Sequence, residues 1–242
     1  MEQPQILSLA PSATATLTAL GLADRVVGVT AHCELDRPTV GGWLNPDYET
    51  VADLNPDLVC TSDGLQREIR DELTDRGYRV HHDEPSRLAE VLSGFRSLAA
   101  AAGNPDAGEQ LVTESRRRLD AVAEKVESDD HPVVYCEEWS EPPMAAGNWV
   151  PDAVEAAGGR YPFVDPGDRS QEVNEETVVN ADPDHAVLHI CGTGDQVSAE
   201  RFSERGWSLN AEVHVVDDSL LNQPSPRLID GIELLAERLY SE

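Results

Sequence analysis

The chain has little positive charge and almost no lysine. Of 242 residues, 18 are Lys or Arg, Lys125 is the single lysine, and 46 are Asp or Glu, which leaves a formal net charge of -28. A polyanion of this density offers no cationic surface to displace the counterions of nucleic acid or anionic lipid, so composition argues against both as partners. The acidity runs along the chain instead of collecting in a tail. That distribution fits a halophilic protein, kept soluble where strong salt shortens the screening length.

Cysteine is also scarce. Cys33, Cys60, Cys136 and Cys191 form no Cys-x-x-Cys pair and are too scattered for a disulfide scaffold, and the last three each close an apolar run, where a thiol acts as a small hydrophobe. No stretch approaches the roughly 20 apolar residues of a membrane span. The start, Met1-Glu2-Gln3-Pro4-Gln5, has neither a basic region nor an apolar segment, so no export signal or lipid anchor is visible and a cytoplasmic protein is expected. Enzyme signatures are missing as well. Gly192-Thr193-Gly194 lacks the third glycine of a dinucleotide fingerprint, no P-loop lysine occurs, and there is no Gly-x-Ser-x-Gly elbow. No catalytic residue or catalytic cofactor is indicated. Among the histidines, His32 with Cys33 and Asp63 makes the best alternative metal-ligating trio, because imidazole, thiolate and carboxylate are the usual donors.

What the chain does contain is a phrase used twice. Glu49-Thr50-Val51-Ala52-Asp53-Leu54-Asn55-Pro56-Asp57 returns as Glu176-Thr177-Val178-Val179-Asn180-Ala181-Asp182-Pro183-Asp184. Each copy predicts a short helix stopped before Asn/Asp-Pro and followed by an apolar strand. In both, proline follows the glutamate by seven positions, so Glu49 and Glu176 should hold equivalent places in two similar halves. Two like lobes carrying matched acidic residues suggest a ligand cleft between lobes and a partner that grips both.

Strands alternate with helices throughout, which predicts an α/β fold with parallel-type sheets covered on both faces. Strands are expected at 6–9, 25–29, 57–60 and 79–82, with helices near 13–20, 47–54, 65–76 and 86–102. Asn104-Pro105 opens a helix expected to run to about Glu127, in which Leu111, Leu119, Val122 and Val126 form the apolar stripe. The domains read as an N-terminal lobe at 1–103, a rigid connecting helix at 104–128 and a C-terminal lobe at 129–242. The second lobe restarts with strands at 133–136, 187–191 and 212–216 and ends in a helix at 226–240.

Two α/β lobes joined by one long helix, with an acidic marker on each, resemble the helical-backbone substrate-binding proteins of ABC importers. The opening Ile6-Leu7-Ser8-Leu9-Ala10-Pro11-Ser12, the segment Gly41-Gly42-Trp43-Leu44-Asn45-Pro46, the run Glu137-Glu138-Trp139-Ser140-Glu141-Pro142-Pro143-Met144-Ala145-Ala146-Gly147 and Pro224-Ser225-Pro226-Arg227 are similar to the vitamin B12 (cobalamin)-binding members. The resemblance implies a monomer that binds a corrinoid for transport, with an ABC permease dimer as partner, on the external face of a membrane. Glu49 and Glu176 would dock to arginines of the permease.

Ligands of open α/β sheets sit beyond the carboxyl ends of strands. With the resemblance, that rule gives Ser12, Trp43, Ser62, Asp63, Trp139, Met144, Trp149, Ser219 and Asn222 as candidate ligand contacts. The three tryptophans lie in Gly- or Pro-flanked loops and would suit a large, flat, amphipathic molecule. The chain departs from typical cobalamin binders in having Ser62 and Ser170 where aromatic residues are usual and Ser219 where an acid is usual. A ferric siderophore or haem on the same fold is the first alternative, with Arg67, Arg169 and Arg227 as anion contacts; a cytosolic metal-binding or enzymatic relative is the second. The Asp-x-His-x-x-Gly pattern of corrinoid-using mutases is absent.

Overall fold

The repeated phrase folds the same way twice. In the computed structural model, which describes residues 3–126 and 131–240, Asp47 caps a helix at Tyr48–Leu54 and Asn174 caps a helix at Glu175–Ala181, so both glutamates fall at the second helical position. Each helix ends in the left-handed region, at Asn55 (φ 43°) and Asp182 (φ 48°), a conformation that Asn and Asp tolerate better than most residues. The Pro-Asp that follows has a shared task. Asp57 accepts from the Gln5 amide at 2.8 Å and Asp184 from the Val133 amide at 2.7 Å, so each aspartate clamps the entry of its lobe's first strand.

In chain order the elements are β1 (Ile6–Ser8), α1 (Pro11–Ala19), β2 (Val26–Val29), the small ribbon β3 (Gly41–Gly42) and β4 (Asn45–Pro46), α2 (Tyr48–Leu54), β5 (Leu58–Ser62), α3 (Arg67–Asp75), β6 (Val80–Asp83), α4 (Leu88–Ala101) and α5 (Pro105–Lys125). There follow β7 (Val134–Ser140), β8 (Pro143–Ala145), α6 (Val150–Ala156), β9 (Gln171–Glu172), α7 (Glu175–Ala181), β10 (His185–Leu188), α8 (Ala199–Ser203), β11 (Glu212–Val215) and α9 (Arg227–Leu239). Two compact units result. The first holds residues 1–85 and 90–114, the second 86–89 and 115–242, so the division falls within α5 instead of at its ends. The expected end of that helix near Glu127 lies outside the described residues.

Unit 1 is a parallel sheet in the order β2-β1-β5-β6. Its strands are buried on both faces and therefore read as continuous apolar runs. Ile6, Leu58 and Cys60 face one core, with Leu17 and Leu98; Leu7, Leu9 and Val59 face the other, with Val51, Ile69 and Leu73. Unit 2 is ordered β11-β10-β7-β8-β9, parallel across β11, β10 and β7 and antiparallel beyond. The first strand of this unit runs on to Ser140 because β8 turns back along its far end, with Trp139 opposite Met144 and Ser140 opposite Pro143. Gly147 is required where it stands, since a Cβ there would lie 2.4 Å from the Asp168 carbonyl oxygen. Among the described residues no helix is long and apolar enough to cross a membrane.

Candidate functional site

In unit 1 the carboxyl ends of the strands are tied together by one buried amide. Gln66 is fully buried; its Oε1 accepts from the Ser62 amide at 2.8 Å, and its Nε2 donates to the carbonyls of Leu9 at 2.9 Å and Trp43 at 2.6 Å. Three loops, after β1, before β4 and after β5, are thus pinned by one side chain. Sequence reasoning missed it because a lone glutamine has no spacing signature. Trp43 is half-buried against the core, with its neighbour Leu44 50% exposed. Leu65, 56% exposed, follows Asp63, whose carboxylate accepts from the Leu65 amide at 2.8 Å.

One expectation needs correction in this unit. Ser12, a candidate ligand contact, lies buried in the first turn of α1, whose cap position is Ala10 because proline takes the first helical position. The trio His32, Cys33 and Asp63 does not gather its donor atoms among the described residues. The Cys33 sulfur instead packs on hydroxyls, 3.1 Å from Thr14 and 3.3 Å from Thr30. Ser62 donates its hydroxyl to the Asp83 carbonyl at 3.2 Å.

Unit 2 presents Trp139 and Met144 side by side as direct partners across β7 and β8. Trp139 is 48% exposed, with its indole N–H held by the Glu141 carbonyl at 3.0 Å, and Met144 is half-buried. Beside them, burial pushes the Glu138 carboxyl up from its ordinary value. Trp149 is a correction: it is only 6% exposed and donates to the Leu221 carbonyl at 2.8 Å, so it packs in the core and is not a ligand platform. The loop Gly192-Thr193-Gly194 is filled from within. Asp218 accepts from the Gly192 amide at 2.8 Å and the Gly194 amide at 2.9 Å, taking the amides an external anion would need. Ser219 donates to Asp217, and Asn222 holds His189 at both its ring and its carbonyl. A hollow of about 580 Å³ opens in this unit beside Ser140, Val173, Asn174, Arg205 and Trp207.

Three large hydrophobic side chains are exposed among the described residues: Leu44 in the turn between β3 and β4, Leu65 in the short turn after β5, and Trp139 next to the last residue of β7. Residues 6–209 match the family model of the periplasmic binding proteins. The chain belongs to this family. It is 30% identical to an uncharacterized ABC transporter substrate-binding lipoprotein, YvrC, of Bacillus subtilis, over all of this chain and 81% of the relative. It is 26% identical to the vitamin B12-binding protein of Vibrio cholerae, over 95% of this chain and 86% of the relative. Its fold matches that of the periplasmic heme-binding protein BhuT in complex with two hemes, with a TM-score of 0.83 at 21% identity, covering 98% of each chain. These are binding proteins, and the chain is not an enzyme.

In this periplasmic binding protein Glu49 and Glu176 are both exposed on the first turns of their helices, where the macrodipole favours a carboxylate. His189 directly follows β10. It is fully buried, its Nδ1 faces the Asn222 Oδ1, and its Nε2 has no partner. Burial lowers its pKa to about 4 from an ordinary 6.5. The folded state thus keeps it neutral where the unfolded chain takes up a proton, so stability is full above pH 6.5 and falls as pH drops towards 4. Between pH 7 and 5 the loss should be roughly 2 kcal/mol. Urea midpoints of the protein and of His189→Gln at the two pH values check this; an equal pH response in both would refute it.

Proposed function

We propose that the chain captures a corrinoid, cobalamin or a precursor, and delivers it to an ABC importer from the external face of a membrane. The observation that carries this reading is the exposure of Leu44 and Leu65 beside strand ends of unit 1 and of Trp139, with Met144 beside the indole, at the end of β7 in unit 2. Exposed apolar side chains there suit the faces of a corrin ring, while neighbouring backbone groups can bond its peripheral amides. Family membership and the vitamin B12-binding relative support the same reading. Charge supports it too. Net charge is -28 and Arg67 is already held by Glu84, which disfavours anionic siderophores or the carboxylates of haem.

Calorimetry and absorbance titration with cobalamin, haemin and a ferric siderophore test the proposal. One equivalent of cobalamin should bind, and Trp139→Ala should weaken it by about 1 to 3 kcal/mol without loss of stability. Haemin or siderophore binding with no response to corrinoids would transfer the assignment to that ligand. Trp43→Ala should also weaken binding, with some loss of stability because Trp43 packs on the core.

Glu49 and Glu176 are the proposed permease contacts. One exposed carboxylate at the same position of each repeated helix gives a two-fold partner equivalent handles, each charge-assisted pair contributing roughly 1.5 to 3 kcal/mol when partly desolvated. Glu49→Gln and Glu176→Gln should leave ligand affinity and melting temperature unchanged while reducing association with the cognate permease, and the double change should reduce it further. Undiminished association of the double variant would remove the docking role.

A further inference from the structure

At the opposite end of the unit 2 sheet, where β10 and β11 begin, three metal-ligating side chains converge that the ligand-binding reading does not use. His185 pairs with Glu212 across the two strands, and His214 lies two residues further along β11, on the same face as Glu212. One donor atom from each lies within 4.8 Å of the other two. His185 Nδ1 and His214 Nε2 are 3.0 Å apart, and a Glu212 oxygen is 3.9 Å from His214 Nε2. Two imidazoles bound to one zinc-class ion at 2.0 to 2.1 Å, at angles between square and tetrahedral, have nitrogens separated by about 2.8 to 3.4 Å. The ring nitrogens already stand at that separation, and the exposed Glu212 needs only a small swing to complete the set.

The duplicated lobes provide an internal comparison. By the repeat and the strand registers, the positions of His185, Glu212 and His214 correspond to Leu58, Arg79 and His81 in unit 1. There Leu58 is core, and His81 is bonded to Asp83 at 2.6 Å. The same fold is therefore built without the trio, and its chemistry is particular to unit 2.

We propose that His185, Glu212 and His214 form a site for one divalent transition-metal ion of the zinc class, with water in the remaining position, which clamps edge strand β11 to β10. Two imidazoles and a carboxylate suit zinc, nickel or copper over magnesium or calcium, which prefer oxygen. The high negative charge of the chain raises the local cation concentration without supplying selectivity.

Calorimetric titration with Zn²⁺, in concentrated NaCl with excess Mg²⁺ to occupy carboxylates, decides it. The background is Cys191→Ser, which removes the exposed thiol. One equivalent should bind, Co²⁺ should give d–d bands of a nitrogen and oxygen site, and His185→Gln should lower Zn²⁺ affinity at least tenfold. Because changing the buried His214 can disturb folding, Glu212→Gln at an exposed position is the second variant, with at least a threefold loss expected. Should His185→Gln fail to give a native circular dichroism spectrum, Glu212→Gln decides alone. Absence of a stoichiometric site, or a folded variant that binds as tightly as the parent, overturns the proposal.

Discussion

Arg205→Ala should lower the stability of unit 2 by roughly 3 to 5 kcal/mol, the range seen when one partner of a buried ion pair is removed. Glu137 is fully buried within β7, and Arg205 donates to both its carboxylate oxygens at 2.5 Å. Tyr135 and Ser140 add hydroxyl bonds at 2.9 and 2.8 Å. Without the guanidinium, a carboxylate is left in the interior with two neutral donors, and the stacking of Arg205 over Phe202 and Trp207 is lost as well. Urea unfolding followed by tryptophan fluorescence measures the cost. Adding Glu137→Gln, which removes the buried charge, should recover part of it; a single-variant loss below about 1 kcal/mol would show that water or a side-chain rearrangement compensates the charge.

Gln66→Leu should cost roughly 3 kcal/mol or more in stability, since it leaves the Leu9 and Trp43 carbonyls and the Ser62 amide without their partner while nearly preserving volume. Gln66→Glu should be no better, because a carboxylate would face two carbonyl oxygens. Freed from this tie, the Trp43 loop should lose order, and the affinity for the proposed ligand, cobalamin, should fall about tenfold in whatever fraction remains folded. Thermal unfolding gives the first quantity and calorimetry the second. A Gln66→Leu protein as stable as the parent would mean that the three loops hold their places without it.

Much of the architecture was legible because it is set by local rules. The helix-Pro-Asp-strand phrase needs only an Asx cap, a residue that tolerates the left-handed region, and a proline that forbids continuation, all written within a dozen residues. The β-alternation that sends Ile6 to one core and Leu7 to the other is equally local. Glu49 and Glu176 take the same second helical position because the phrase places the cap and the stop at the same spacing in both copies. The net charge of -28 is a matter of composition alone.

The site was only partly legible, because side chains of one type meet different fates according to neighbours distant in sequence. Trp139 and Trp149 both read as residues of Pro- or Gly-flanked loops, yet one is half exposed on β7 against Met144 and the other is buried with its N–H on Leu221, 72 residues away. Gly192-Thr193-Gly194 looks like an open cradle until Asp218, from the end of another strand, occupies its amides. Gln66, the Glu137–Arg205 pair, His189 and the trio at His185, Glu212 and His214 likewise depend on strands being laid beside one another. The sequence by itself determined two like α/β lobes, their caps, their acidic markers and the loops that can face a ligand. Only the tertiary structure decided which side chains in those loops remain available, because burial and hydrogen bonding are set by long-range packing that no local spacing encodes.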